Sequence, residues 1–212
     1  MSAKAFVLIV GMLLYLKHRL EVIKAANEYE LKDTRILVAI PSVGSRSERL
    51  YRSIVRKTWK QSLGGDISLL FFIGTQGLNM TAIESINEEQ RKNRDIVKLD
   101  YVESYEGLSD KMLLIYQWIA KQRKNNLEWI FKTDTDIWFN PEGFKLSISN
   151  IKPHRSWLGR TIMDSGIFKK GPWANPDYPS KVYPSYHAGA GYAITMDSVS
   201  YTHLTLPTTP YV

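Results

Sequence analysis

Four short strand-like runs, three of them too continuously apolar to be half-exposed strands, are spaced along the first two-thirds of the chain. They are residues 35–40 (RILVAI), 67–74 (ISLLFFIG), 96–101 (IVKLDY) and the opening of 129–141 (WIFKTDTDIWFNP). A strand covered on both faces reads in this way. Between the runs lie stretches of helical character, at 48–61, 78–95 and 103–123. In the last of these, Met112, Ile115, Tyr116 and Ile119 make an apolar stripe at helical spacing. Strand and helix in strict alternation predict an α/β fold with a parallel, Rossmann-like sheet joined by right-handed crossovers. No G-x-G-x-x-G follows the first run and no G-x-x-x-x-G-K-[ST] occurs. That pattern speaks against a dinucleotide dehydrogenase and a P-loop NTPase.

The fourth run ends in Asp134-Thr135-Asp136 and resumes at once as Ile137-Trp138-Phe139. Two carboxylates at the end of a buried strand are costly unless something neutralises them. A hard divalent cation would do so, since Mg²⁺ and Mn²⁺ are held by one or two carboxylates together with substrate phosphates. Asp134 and Asp136 are therefore a candidate D-x-D metal–diphosphate site. A turn capped by an Asp side chain accounts for the same residues.

Two further sequence features fit a phosphate ligand. Arg52 and Arg56 are four apart in the 48–61 helix and share a face, either as a solvated basic face or as a guanidinium pair near a diphosphate. Lys111, early in the third helix, opposes the helix dipole and calls for a carboxylate or phosphate partner. Asp100 falls near the C-terminal end of the third strand, the usual ligand edge of such a sheet. Ser47 followed by Leu50 makes no capping box, which leaves the start of the first helix loosely placed.

The net charge is +7 over 212 residues, but the basic residues are scattered. There is no cysteine, hence no zinc finger, and no RRM-type aromatic motif, so an anionic small substrate is expected rather than nucleic acid. Disulfides and thiolate metal sites are excluded on the same ground.

Residues 5–16 (AFVLIVGMLLYL) are uncharged and flanked by Lys4 and by Lys17-His18-Arg19. The run is short for a spanning helix, which needs ~20 residues, but suits an uncleaved signal anchor followed by a charged stem. A buried or amphipathic N-terminal helix is the alternative. Asn79-Met80-Thr81 is an N-glycosylation sequon, meaningful in a secretory protein. Beyond Pro141 the chain turns irregular and aromatic, with Trp157, Trp173, Tyr178, Tyr183, Tyr186 and Tyr192 among prolines and glycines. Such surfaces suit sugar rings as well as ordinary packing. Gly189 and Gly191 permit close backbone approach.

Four segments in order resemble the β-1,3-galactosyltransferase family (glycosyltransferase family 31), which includes β-1,3-N-acetylglucosaminyltransferases and is related to the Fringe enzymes. Residues 52–59 (RSIVRKTW) are similar to R-x-A-I-R-x-T-W, and 100–111 (DYVESYEGLSDK) to D-x-x-D-x-Y-x-N-L-T-x-K. Residues 132–136 (KTDTD) are similar to K-x-D-D-D, and 183–192 (YPSYHAGAGY) to Y-P-x-Y-x-x-G-x-G-Y. The resemblance implies a GT-A fold, a UDP-sugar donor, Mn²⁺, and a single-pass type II Golgi membrane protein with a luminal catalytic domain. It implies Asp136 as the direct metal ligand and Asp134 as a holder of the metal–diphosphate. Arg56 and Lys111 would organise the donor site, with Arg52 beside them as a substrate-binding candidate from the guanidinium pair; Asp100 would sit at its edge, and Gly189 and Gly191 would line the acceptor side.

The departures are specific. Thr135 replaces the middle Asp of the triplet, Glu103 replaces Asp, and Gly107 replaces Asn. The family's acidic general base and a later metal-binding His, both expected after the G-x-G-Y segment, have no match, and residues 200–212 (SYTHLTLPTTPYV) do not read as family sequence. The expected organisation is an anchor and stem at 1–34, a partial GT-A domain at 35–199 and an unrelated tail at 200–212. The expected reaction is inverting transfer of galactose or N-acetylhexosamine from a UDP-sugar to the 3-hydroxyl of a protein- or lipid-linked glycan, weak or absent in this chain. The alternatives are an inactive nucleotide- or carbohydrate-binding relative and a metal-dependent phosphohydrolase.

Overall fold

A computed structural model describes residue 31 and residues 34–104, 107–122, 126–171 and 174–205. Within them, β1 (Ile36–Ser42), β2 (Ile67–Gln76), β3 (Ile96–Val102) and β4 (Trp129–Thr133) alternate with α1 (Arg46–Lys57), α2 (Met80–Asn93) and α3 (Leu108–Ala120). There follow α4 (Pro141–Ile148), β5 (Trp157–Ile162), β6 (Tyr186–Thr195) and α5 (Met196–Thr205). One six-stranded sheet has the order β3-β2-β1-β4-β6-β5. The first four strands are parallel, as the alternation predicts, while β6 runs antiparallel to both β4 and β5.

The continuous apolar runs are explained by burial on both faces. One face carries Ile36, Val38 and Ile40 of β1 against Val55 of α1, Ile86 of α2 and Ile148 of α4. The other carries Leu37 and Ala39 against Ile115 and Ile119 of α3 and Val199 of α5. Alternate β1 residues thus enter opposite cores, and none can be polar without losing burial on one side.

Four boundaries differ from the sequence expectation. The first helix starts at Arg46, because Ser45 is its cap and accepts from the Glu48 N–H at 3.2 Å; this is the S-x-x-E spacing of a capping box. It ends at Lys57, and a 3₁₀ turn, Trp59–Ser62, follows. Leu31, on the stem side of the expected 34/35 boundary, is buried with the second core. At the other end α5 runs on to Thr205, past the expected boundary at 200, so residues 200–205 are helical although their sequence shows no helical period.

The antiparallel pair β5–β6 was not expected, since residues 186–192 (YHAGAGY) have low strand propensity. Pairing of β6 with β4, from Trp129↔Thr195 to Thr133↔Gly191, supplies what local propensity does not. The aromatic residues here pack largely on one another: Trp157 edges His187 at 4.5 Å and Tyr178 lies 4.7 Å from Tyr183. Trp173 lies outside the described residues, as do the 5–16 run and Tyr105.

Candidate active site

The end of β4 delivers Asp134, Thr135 and Asp136 beside the end of β1, because the two strands are parallel neighbours. The turn is pinned on both sides. Behind it, Lys132 Nζ donates to Asp134 Oδ1 at 2.6 Å and to the Gly189 carbonyl of β6. Ahead of it, Phe139 is buried among Trp59, Phe131 and Phe144, with Phe131 at 4.6 Å, and Asn140 caps α4 by accepting from the Gly143 N–H at 3.0 Å. Aromatic contacts of this type contribute about 0.5–1.5 kcal/mol each beyond buried area. The turn itself is closed by the Ile137 N–H on the Asp134 carbonyl at 3.4 Å, so turn and candidate metal site coexist.

The turn forms one wall of an open cleft of about 590 Å³. The end of β1, the start of α1 and the approach to α3 complete it. Its lining includes the carboxylates of Glu48, Glu103, Asp134 and Asp136, and one ammonium, that of Lys111. In a chain of net charge +7, this cleft is locally acidic.

Lys111 is buried, and its Nζ donates to the Ser42 carbonyl at 2.6 Å and to Glu103 Oε1 at 2.5 Å. The carboxylate partner that its helix position called for is therefore Glu103. Burial lowers the Lys111 ammonium, and the Glu103 and Glu48 carboxylates only partly oppose that. Glu103 also accepts from the Gly74 N–H at 2.6 Å. A Cβ on Gly74 would lie 2.7 Å from the Tyr101 carbonyl oxygen and 2.8 Å from Glu103 Oε1, so glycine is required for this close approach.

The other expected site residues sit elsewhere. Arg52 is 1% exposed. Its guanidinium donates to Glu89 at 2.9 and 2.7 Å, to Ser42 Oγ at 2.8 Å and to the Val43 carbonyl at 2.8 Å. It reaches the cleft through Ser42 and is fully engaged inside the protein, which corrects the expectation of a diphosphate contact. Arg56 binds Asp95 at 2.8 Å through two nitrogens and Glu89 at 2.7 Å, with its guanidinium 4.9 Å over the Phe71 ring. Burial would lower the Arg56 guanidinium, but Asp95 and Glu89 outweigh it. Asp95 precedes β3, with β2 between it and β1, so the Arg52–Arg56 pair does not converge on the D-T-D turn.

Asp100 is exposed and accepts from Gln76 Nε2 at 2.8 Å, outside the cleft lining; Glu103 of the same motif enters the cleft instead. Gly189 and Gly191 lie across β4 from β1. Gly189 gives its carbonyl to Lys132, and a Cβ on Gly191 would come 3.3 Å from Phe131 Cζ. Behind Asp134, the Tyr116 and Tyr192 hydroxyls share a hydrogen bond of 2.7 Å. Burial pushes both phenols up, and the Asp134 charge adds to this at Tyr192. Asn79 is an exposed cap of α2 whose Oδ1 accepts from the Ala82 N–H at 2.9 Å, with Thr81 also exposed.

Among the described residues no three His, Asp or Glu side chains converge as a metal cage. Asp134 and Asp136, hard oxygen donors at the mouth of an open cleft, nonetheless fit a Mg²⁺ or Mn²⁺ ion that takes its remaining ligands from phosphate and water. The residues that sequence reading missed are Ser42, Glu48 and the cleft role of Glu103. The S-x-x-E spacing at Ser45–Glu48 was the signal that placed Glu48 in the first turn of α1.

The family model described as galactosyltransferase matches residues 51–206. The chain belongs to the galactosyltransferase family. The match covers the 52–59, 100–111, 132–136 and 183–192 segments and extends through α5. Mouse UDP-GalNAc:beta-1,3-N-acetylgalactosaminyltransferase 1 is 28% identical over 158 residues, which is 70% of this chain and 47% of the relative. The corresponding type 2 protein of Xenopus tropicalis is 28% identical over 130 residues, 58% of this chain and 26% of that one. This galactosyltransferase-family chain thus spans about half the length or less of these curated relatives. Among solved structures, 4-diphosphocytidyl-2C-methyl-D-erythritol synthase of Anaerococcus prevotii aligns with TM-score 0.43 at 14% identity, over 84% of this chain and 79% of that one. No described helix is long and apolar enough to cross a membrane.

Proposed function

We propose that the chain carries the donor half of a hexosyltransferase, which binds a UDP-sugar through a divalent cation at Asp134 and Asp136. The observation that supports this most is the sign of the cleft. Glu48, Glu103, Asp134 and Asp136 face Lys111, with Lys132 behind Asp134. A diphosphate entering alone would meet uncompensated like charge, whereas a divalent cation held by the two aspartates would remove the conflict. When bound, that cation, Mn²⁺ in this reading, stabilises negative charge on the departing diphosphate. Lys111 adds a fixed positive charge from the opposite wall.

The reaction in this reading is transfer to the 3-hydroxyl of a protein- or lipid-linked glycan. The bond from the anomeric carbon to the diphosphate oxygen breaks as the acceptor oxygen bonds the opposite face, and the hydroxyl proton passes to a carboxylate base. Gly189, on the far side of β4 from the donor cleft, has open space over its backbone where an acceptor can approach, while Gly191 packs against Phe131. A Golgi membrane setting, an anchor at residues 5–16 and a glycan on Asn79 belong to the same reading, supported by the apolar N-terminal run and the exposure of the sequon.

The test is UDP release from UDP-galactose, UDP-N-acetylglucosamine and UDP-N-acetylgalactosamine with Mn²⁺, with and without glycan acceptors. Acceptor-stimulated release is the expected result for the complete protein. Tight Mn²⁺-dependent binding without release points to the non-catalytic binding alternative, which the Asp-to-Thr change at Thr135 favours. Cleavage of simple phosphate esters without acceptor contradicts the transferase reading.

A further inference from the structure

The Glu48 side chain has a placement that its helix does not require. In a capping box, the glutamate three residues after the cap turns its carboxylate back to the cap backbone. Here Ser45 makes its half of the box, but the Glu48 carboxylate reaches across to the β1 and β4 ends. It accepts from Ser42 Oγ at 2.6 Å and from Thr135 Oγ1 at 3.2 and 3.3 Å.

Both donors are committed. Arg52 Nη1 donates to Ser42 Oγ, which leaves the single Ser42 proton for Glu48. Arg52 is in turn locked to Glu89 in the core. The carboxylate is therefore held by a chain of hydrogen bonds anchored inside the protein, at the wall of the cleft beside Asp134 and Asp136. A carboxylate offers about four acceptor positions, so capacity remains on the cleft side.

We propose that Glu48 binds the sugar ring of the nucleotide-sugar, accepting hydrogen bonds from its hydroxyls, with Ser42 and Thr135 as its positioning residues. This rests on the UDP-sugar reading of the cleft. A carboxylate repels phosphate oxygens and attracts O–H and N–H donors. Among the described residues Glu48 does not join the two aspartates as a third metal ligand. The sugar is the donor-rich group bonded directly to the diphosphate that the aspartates would hold. Thr135 then has a defined use: its hydroxyl orients Glu48, where an aspartate at the same place would repel it.

The test measures binding of UDP and of UDP-N-acetylgalactosamine to the full chain at fixed Mn²⁺, for wild type, Glu48→Gln and Thr135→Val. Glu48→Gln is expected to weaken the UDP-sugar about tenfold, the scale of one hydrogen bond to a charged group, and to leave UDP within about twofold. Thr135→Val should act in the same direction with a smaller effect, and it decides the question if Glu48→Gln does not fold. Equal weakening of UDP and UDP-sugar, or no change in either, overturns the assignment while leaving the UDP site standing. A wild-type chain that binds neither ligand overturns both.

Discussion

Lys132 near the end of β4 and Asp134 just beyond it are joined by a 2.6 Å ion pair in which the lysine side chain is 5% exposed and the aspartate 44% exposed. The buried ammonium also holds the Gly189 carbonyl, so one charge ties the D-T-D turn to β6. Asp134 Oδ1 points inward to that ammonium, which leaves the second oxygen for the cleft.

Lys132→Met removes the charge and leaves the Gly189 carbonyl without this donor. The expected loss of stability is about 1–3 kcal/mol, the cost of an unmatched polar partner. Urea unfolding of wild type and variant measures it. An unchanged midpoint would mean that the tie does not hold β4 to β6.

Glu89 gives a pH dependence whose sign follows from its partners. Burial raises its carboxyl, but the Arg52 and Arg56 guanidinium groups outweigh that and leave it below the usual glutamate value. The unfolded chain therefore takes up this proton first as the solution is acidified. The stabilisation is complete above the unfolded value of about 4.3 and is lost as pH falls through the lower folded value. Glu89→Gln should cost about 3 kcal/mol near neutrality, because it leaves buried Arg52 without its bidentate partner. Its deficit in urea midpoint relative to wild type should shrink in acid. A deficit independent of pH would contradict the ion-pair account.

Thr135→Asp restores the family's triplet, yet the structure predicts harm. The new carboxylate would stand where Thr135 Oγ1 now lies 3.2 Å from Glu48, replacing a hydrogen bond by like-charge contact. The single variant should be destabilised by about 1–2 kcal/mol, and Glu48→Gln in the same chain should recover most of it. A double-mutant cycle by thermal unfolding reads the coupling. Additive effects would show that residues 48 and 135 do not interact.

The parallel half of the sheet was readable because its strands are buried on both faces, which leaves an unbroken apolar signature in residues 35–40 and 67–74. The site was readable only where its residues lie close in sequence, as in Lys132–Asp136. Arg52 and Arg56 were misread because a basic helical face looks the same from sequence whether it meets a phosphate or buried carboxylates. Only the fold brings Glu89 and Asp95 beneath them. Glu48 went unnoticed for the same reason: its partners, Ser42 and Thr135, are 6 and 87 residues away. The β5–β6 pair left no local pattern because β4 imposes it.

In the proposed reading, Asp134 and Asp136 hold a cation that brings a uridine diphosphate into an acidic cleft. Calorimetric titration of UDP into the full chain, with Mn²⁺ and with Mn²⁺ chelated, for wild type and Asp136→Asn, tests it most directly. Binding is expected only with Mn²⁺, and Asp136→Asn is expected to weaken it at least about tenfold, through loss of a charged ligand. UDP binding of equal strength without the cation, or untouched by Asp136→Asn, would contradict it.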